Sequence, residues 1–206
     1  MLARPNGGWE PLILRAASVR DGEPAWLGAC VRYLDELLSW NRRTDLTAAR
    51  TAEELVDLTV ADAAVIAAAS PDAHGVWVDV GSGAGAPGLL LSMMLPAVRM
   101  TLVEPRDRRV AFLRSAIGKF GLTGATVVRG RSDRVLPGSA DVAVSRATLP
   151  PKEWLKEGAR IAKFSVWVLL AREEPPNAGN LFVADDLAYE WPLTRVPRRA
   201  VRYARS

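Results

Sequence analysis

Two regimes of hydrophobic patterning divide the chain. Between Trp26 and Trp40 the apolar residues Trp26, Leu27, Cys30, Val31, Leu34, Leu37 and Leu38 form one stripe, which predicts an amphipathic helix. A second helix is predicted over 52–69, where Leu55, Val56, Leu58, Val60, Ala63, Val65 and Ile66 are apolar and Ser70-Pro71 ends the run. Ahead of both, residues 1–24 hold Pro5, Gly7, Gly8 and Pro11 and read as a loose arm. From residue 76 onward short apolar runs alternate with helical patterns. Strands are predicted at 76–80, 99–103, 125–129, 140–144 and 164–171, with helices at 87–95, 106–120 and 151–162. Two β-rich stretches, 181–190 and 199–204, close the chain, and the last reads as an edge strand. Such alternation predicts an α/β fold with a mostly parallel sheet covered on both faces. The expected division is an N-terminal arm and helical cap at 1–75 and a core at 76–206.

Composition narrows the class. At 206 residues and 49% hydrophobic, the chain suits one domain with a small elaboration. Its apolar runs are shorter than a membrane span. The opening Met-Leu-Ala-Arg-Pro-Asn-Gly-Gly lacks the layout of a signal peptide, and a cytoplasmic location is expected. A single cysteine, Cys30, excludes an intramolecular disulfide and a cysteine-built zinc site, and the single histidine, His74, argues against a histidine metal site or an ordinary catalytic triad. No metal is expected, and a monomer is.

Charge adds a partner. The net charge of +4 is uneven: residues 1–75 hold seven arginines and no lysine against eleven acids, whereas residues 76–206 hold 20 cationic against 12 anionic side chains. A basic core points to a polyanion such as nucleic acid, although 23 arginines to four lysines also suit a GC-rich genome.

The chemistry concentrates at 76–88, Val-Trp-Val-Asp-Val-Gly-Ser-Gly-Ala-Gly-Ala-Pro-Gly: a strand, an acid, alternating glycines and a helix start. Glycine lets the backbone approach a ligand closely, and the following helix aims free N–H groups at it. Two cofactors could use this turn. Gly81-x-Gly83-x-Gly85 after Asp79 is the turn of S-adenosylmethionine (SAM) methyltransferases, while Gly83-x-Gly85-x-x-Gly88 satisfies the dinucleotide fingerprint. Glu104 ends the second strand 19 residues past Gly85 and suits a ribose in either cofactor. Asp79 favours SAM, because an acid there suits an ammonium and would repel a pyrophosphate. Arg131-Ser132-Asp133, after the third strand, stands where SAM folds place an adenine-contacting acid and amide. The expected fold is therefore the Rossmann-like fold of SAM-dependent methyltransferases.

Five segments, the glycine turn among them, resemble one family, the bacterial 16S rRNA guanine-N7 methyltransferases (small-subunit rRNA methyltransferase G, or glucose-inhibited division protein B). Trp40-Asn41-Arg-Arg-Thr-Asp45-Leu46-Thr47-Ala48 resembles its Trp-Asn…Asn-Leu-Thr stretch, and Asp79 through Pro87-Gly88 its glycine turn. Arg108-Arg109-Val-Ala-Phe-Leu resembles Lys-Arg-Val-x-Phe-Leu, Ser145-Arg146-Ala147 resembles Ser-Arg-Ala, and Pro197-Arg-Arg-Ala-Val-Arg-Tyr resembles the last strand. The resemblance implies SAM contacts at Gly81, Ala86, Ser132, Asp133 and Arg146, with Asp79, Gly83, Gly85 and Glu104 completing the cofactor site. It also implies 16S rRNA or the 30S subunit as partner. Arg131, Arg146 and Arg172 are positioning candidates for phosphate or guanine O6. No proton-transfer residue is assigned, since guanine N7 carries an unprotonated lone pair. Four positions depart from the pattern. Leu58-Thr59 stand for Arg-His in the second cap helix, Asp45 for an asparagine, Ala162-Lys-Phe-Ser165 for a Lys-Pro-Gly-Gly turn, and Arg172 for a lysine, with Glu173-Glu174 after it. The rival readings are a diverged paralogue binding SAM or RNA without turnover, a small-molecule methyltransferase, and a dinucleotide-dependent oxidoreductase.

Overall fold

The computed structural model describes residues 2–205. Seven strands form one sheet in the order β3-β2-β1-β4-β5-β7-β6. β1 (Gly75–Val80), β2 (Val98–Glu104), β3 (Ala125–Arg129), β4 (Ala140–Arg146) and β5 (Ala162–Leu170) are parallel to one another. β7 (Pro197–Ala204) runs antiparallel between β5 and β6 (Phe182–Glu190). The chain direction across the sheet reverses between β1 and β4, so the crevice beyond their carboxyl ends is where a ligand is expected.

Helices cover both faces. α5 (Gly88–Met94) buries Leu89, Leu90, Leu91 and Met93, and α6 (Asp107–Phe120) buries Val110, Phe112, Leu113 and Ala116. On the other side α7 (Pro151–Ile161) presents Trp154, Leu155, Gly158 and Ile161, the spacing of one helical face. Two apolar clusters result, one on each side of the sheet, and the larger also takes in the cap.

The cap departs from expectation in two places. The stretch read as a loose arm contains α1 (Glu10–Ala16), which seats Trp9, Ile13 and Ala16 in the core. Those three follow helical spacing, and Pro11 sits in the first turn, where its missing N–H costs nothing. After α2 (Leu27–Asn41), the predicted 52–69 helix is three pieces. α3 (Ala52–Val56) begins at a Thr51 cap that accepts from the Glu54 amide (3.1 Å), a π-helical turn spans Asp57–Ala61, and α4 (Asp62–Ala68) completes it. The π turn places Asp57 and Asp62, both buried, against the β6–β7 hairpin.

The C-terminal strand is likewise not an edge. Ala200, Val201 and Tyr203 are buried, so β7 belongs inside, and β6 takes the rim. Arg199 and Arg202 of β7 bind Asp186 and Asp185 of β6, and acidic side chains on an outermost strand discourage pairing with other chains.

Candidate cofactor cleft and adjoining pocket

The glycine turn is held from beneath by two carboxylates. Asp79 ends β1 and is buried; its Oδ2 accepts from the Gly88 amide (3.0 Å), tying the strand to the first turn of α5. Its Oδ1 is buried with no partner among the described residues. Glu104 ends β2, also buried, and accepts from the Gly83 amide (2.9 Å) and the Arg106 amide (2.9 Å). Two glycines are indispensable here. Gly81 has φ +75°, and a Cβ on it would lie 2.1 Å from Thr148 Oγ1. A Cβ on Gly88 would lie 2.5 Å from Asp79 Cβ and 2.6 Å from Leu102 Cδ2. Packing against Asp79 therefore explains Gly88 without any pyrophosphate.

Burial drives the Asp79 carboxyl up from 3.8 to about 6, against the pull of the Gly88 amide. Between about pH 4 and 6 the folded chain thus keeps a proton that the unfolded chain has released. Stability contributed at this site falls as pH rises through that window and is level above it. Asp79→Asn retains an acceptor for the Gly88 amide and removes the titration. Urea unfolding at about pH 4 and pH 7 should show the wild type losing on the order of 2–3 kcal/mol more than the variant.

Two cavities open at the carboxyl ends of the strands. The first, about 270 Å³, is lined by Thr47, Gly81, Gly83, Ala86, Arg109 and Arg146, among others. Asn41 shapes its cap side: Oδ1 accepts from the Leu46 (2.8 Å) and Thr47 (3.1 Å) amides, turning that loop toward the glycines. Tyr33 of α2 donates to the Ala84 carbonyl (2.8 Å) and locks the cap onto the glycine turn. The second cavity, about 180 Å³, lies on the β5 side and is lined by Trp154, Glu173, Tyr189, Trp191 and Arg198. The two share one wall: Leu58, Arg146 and Ala147.

That wall is built around Asp62. Its Oδ2 takes Arg146 Nη1 (3.1 Å), and its Oδ1 accepts from Tyr189 Oη (2.7 Å) and Trp191 Nε1 (2.7 Å). Arg146 Nη1 also binds the Leu58 carbonyl in the π turn. Such turns leave a carbonyl without its usual helical partner, and here a side chain takes it. Burial, then the Asp62 carboxylate, holds the Tyr189 hydroxyl well above its ordinary range, so it remains a donor. Asp57 serves the same hairpin, accepting from the Thr194 amide (2.7 Å) and hydroxyl (2.8 Å). Ala147 has φ +54°, a left-handed backbone that costs a residue with a Cβ about 1–2 kcal/mol. Strain of this kind clusters at functional sites.

Of the residues singled out from sequence, Gly81, Gly83, Ala86 and Arg146 line the cleft. Asp79 and Glu104 hold its floor, and Gly85 turns inward toward Leu89 and Leu113. Arg131, Ser132 and Asp133 form the turn after β3, where the Ser132 carbonyl accepts from Arg160 (2.8 Å); they line neither cavity. Arg172 lies exposed after β5, and its neighbour Glu173 faces the second cavity in its place. Sequence reasoning missed Asp57, Tyr189, Trp191 and Arg198. The only signal for Tyr189, Trp191 and Arg198 was an aromatic-rich final hairpin, and Asp57 had none.

A parallel sheet with an antiparallel β7 inserted beside β5, carrying a glycine turn at its switch point, is the Rossmann-like fold of SAM-dependent methyltransferases. It departs from the 3-2-1-4-5-6 order of dinucleotide domains. In fold the chain is similar to TYW2 of M. jannaschii, solved in complex with AdoMet, with a TM-score of 0.51 and 15% identity over 64% of this chain and 68% of that one. Residues 27–171 match the family model of GidB, rRNA small subunit methyltransferase G. Ribosomal RNA small subunit methyltransferase G of Nitratidesulfovibrio vulgaris (strain DP4) is 37% identical over 139 residues, 64% of this chain and 63% of the relative. That match spans less than two thirds of the relative's length. The protein of the same name from Anaeromyxobacter sp. (strain Fw109-5) is 30% identical over 193 residues, 87% of this chain and 89% of the relative. The chain belongs to the rRNA small subunit methyltransferase G family. Among the described residues no helix is long and apolar enough to cross a membrane.

Proposed function

We propose that the chain is a SAM-dependent methyltransferase that methylates N7 of a guanine in 16S ribosomal RNA. The observation that carries this reading is the pair of cavities sharing the Leu58–Arg146–Ala147 wall. Group transfer requires donor and acceptor to meet at about 3–3.5 Å, and two cavities that adjoin at the same three residues lie close enough for a base in one to reach a methyl in the other.

The residues present suit the cofactor. The unpartnered Asp79 Oδ1 offers a buried acceptor to an ammonium, and each Glu104 oxygen keeps a lone pair for a ribose hydroxyl. Arg109, in the cleft wall, offers a cation to a carboxylate. The adenine contacts are assigned to Ser132 and Asp133 by the family resemblance alone, since both lie in the turn after β3 outside the cleft lining. When bound, SAM supplies an electrophilic methyl to a ring nitrogen that carries no proton, so the chain needs no general base. Its residues have to position the base and exclude water. Exposed Arg106, Arg108, Arg131 and Arg134, which follow β2 and β3, give the carboxyl face of the sheet the charge that an RNA backbone requires.

The test is transfer of label from SAM to 30S subunits, and to naked 16S RNA, from a strain lacking the native activity. Digestion to nucleosides should yield labelled 7-methylguanosine. Absence of label in both substrates would refute the reading and favour a paralogue without this activity.

A further inference from the structure

We infer that Glu173 selects guanine by accepting hydrogen bonds from the Watson–Crick edge of a base held in the second cavity, with Arg198 laid on Trp191 as the platform under it. This rests on the methyl-transfer reading above and names the residues by which its acceptor is chosen.

The order of strands sets the layout. Beyond the carboxyl ends of β1 and β4 lies the cofactor cleft, and beyond those of β4 and β5 lies the second cavity. Glu173 follows β5 and lines only the second cavity, whereas Leu58, Arg146 and Ala147 line both. Its carboxylate is held in place. Oε2 accepts from the Ala171 amide (3.0 Å) and the Arg172 amide (3.1 Å), while Oε1 has no partner among the described residues. The Glu173 backbone amide, then those of Ala171 and Arg172, hold the carboxyl below its ordinary range, with the Arg198 charge assisting.

Arg198 completes the slot. Its guanidinium carbon lies 3.7 Å from the centroid of the Trp191 ring, so cation and indole are stacked, and Trp191 is itself fixed by Asp62. Guanidinium planes and aromatic rings are the surfaces on which extruded bases stack. A stacked guanine presents two donors, N1–H and the N2 amino group, along one edge, and N7 lies at the opposite side of the purine. With its donors on Glu173, which is absent from the cofactor cleft, N7 is the edge left to turn toward the residues where the two cavities meet. Adenine in the same pose would set its N1 lone pair against the carboxylate. A charged acceptor therefore discriminates between the purines by attraction and by repulsion.

Base preference in the full-length chain tests this. GMP, IMP and AMP are titrated into wild type, Glu173→Gln and Glu174→Gln, followed by tryptophan fluorescence or NMR. Glu174 is the control, being 94% exposed and outside the cavity. Wild type and Glu174→Gln should prefer GMP to AMP by about 10- to 100-fold, with IMP between, as hydrogen bonds to a charged group predict. Glu173→Gln should lose most of that preference. An unchanged GMP:AMP ratio in Glu173→Gln, or no preference in wild type, overturns the assignment. Transfer of label to 30S subunits by wild type is scored separately. Its absence sinks the methyl-transfer reading, whereas label together with an unaltered base ratio sinks the role of Glu173 alone.

Discussion

Replacing Asp62 with alanine is expected to lower the melting temperature by about 10 °C and to abolish methyl transfer. The side chain is 1% exposed and receives three donors from three different elements: Arg146 of β4, Tyr189 of β6 and Trp191 of the hairpin. Removing the carboxylate strands a guanidinium, a phenol and an indole at once. Breaking a buried ion pair by deleting one partner costs about 3–5 kcal/mol, and each kcal/mol shifts a chain of this length by about 2–4 °C. The functional loss should outrun the loss of stability, because the same carboxylate orients Trp191 in one cavity and Arg146 between both. Calorimetry together with labelling at a temperature where the variant is folded separates the two effects. A folded Asp62→Ala protein that labels RNA at the wild-type rate would refute the wall. Asp57→Ala is the counterpart. It frees the 193–194 turn, but that carboxylate lines neither cavity, so stability should fall while the activity of the folded fraction is largely kept.

The half of the site that is local in sequence was legible there, and the half made by distant segments was not. Asp79, the glycines and Glu104 lie within 26 residues of one another, and each sits at the end of a strand whose period and length announce it. Their geometry follows from the strand–turn–helix unit itself. Asp62 is different. Its partners lie 84 to 129 residues away, on strands whose place in the sheet no local pattern fixes. The reading of β7 as an edge failed for the same reason. Val196, Ala200, Val201 and Tyr203 interleaved with arginines suit a half-exposed strand, and only the antiparallel insertion beside β5 shows that those arginines pair with β6. The π turn was hidden because π and α helices draw on the same apolar residues. Its mark in the structure is that Asp57 and Asp62, five apart, both bond the hairpin. The Leu58-Thr59 departure acquires a physical sense here. Leu58 gives the shared wall its apolar side chain and gives Arg146 its carbonyl, and the Thr59 hydroxyl turns back onto the Leu55 carbonyl (2.7 Å).

Arg146 should prove separable into an anchor and a working group. Nη1 alone makes both contacts to the cap, with the Leu58 carbonyl and with Asp62, whereas Nε and Nη2 have no partner among the described residues. The side chain is 22% exposed and lines both cavities, and the strained Ala147 beside it fixes the angle at which β4 ends. Arg146→Ala is expected to reduce kcat/KM for RNA by about 10²-fold or more, the scale of a reactant displaced by an ångström, and to leave Asp62 short of a cation. Arg146→Lys discriminates between the two functions. An ammonium has three donors and can satisfy Asp62 and Leu58, so most of the stability lost in the alanine variant should return. What it lacks is the planar fork whose remaining N–H groups are free to meet a phosphate or guanine O6, and activity should stay low. Calorimetric melting, SAM affinity and steady-state labelling of 30S subunits on the three proteins decide it. If the lysine variant labels RNA as fast as wild type, Arg146 only holds the cap. If it melts like wild type but works like the alanine variant, the free face of the guanidinium is what the substrate meets.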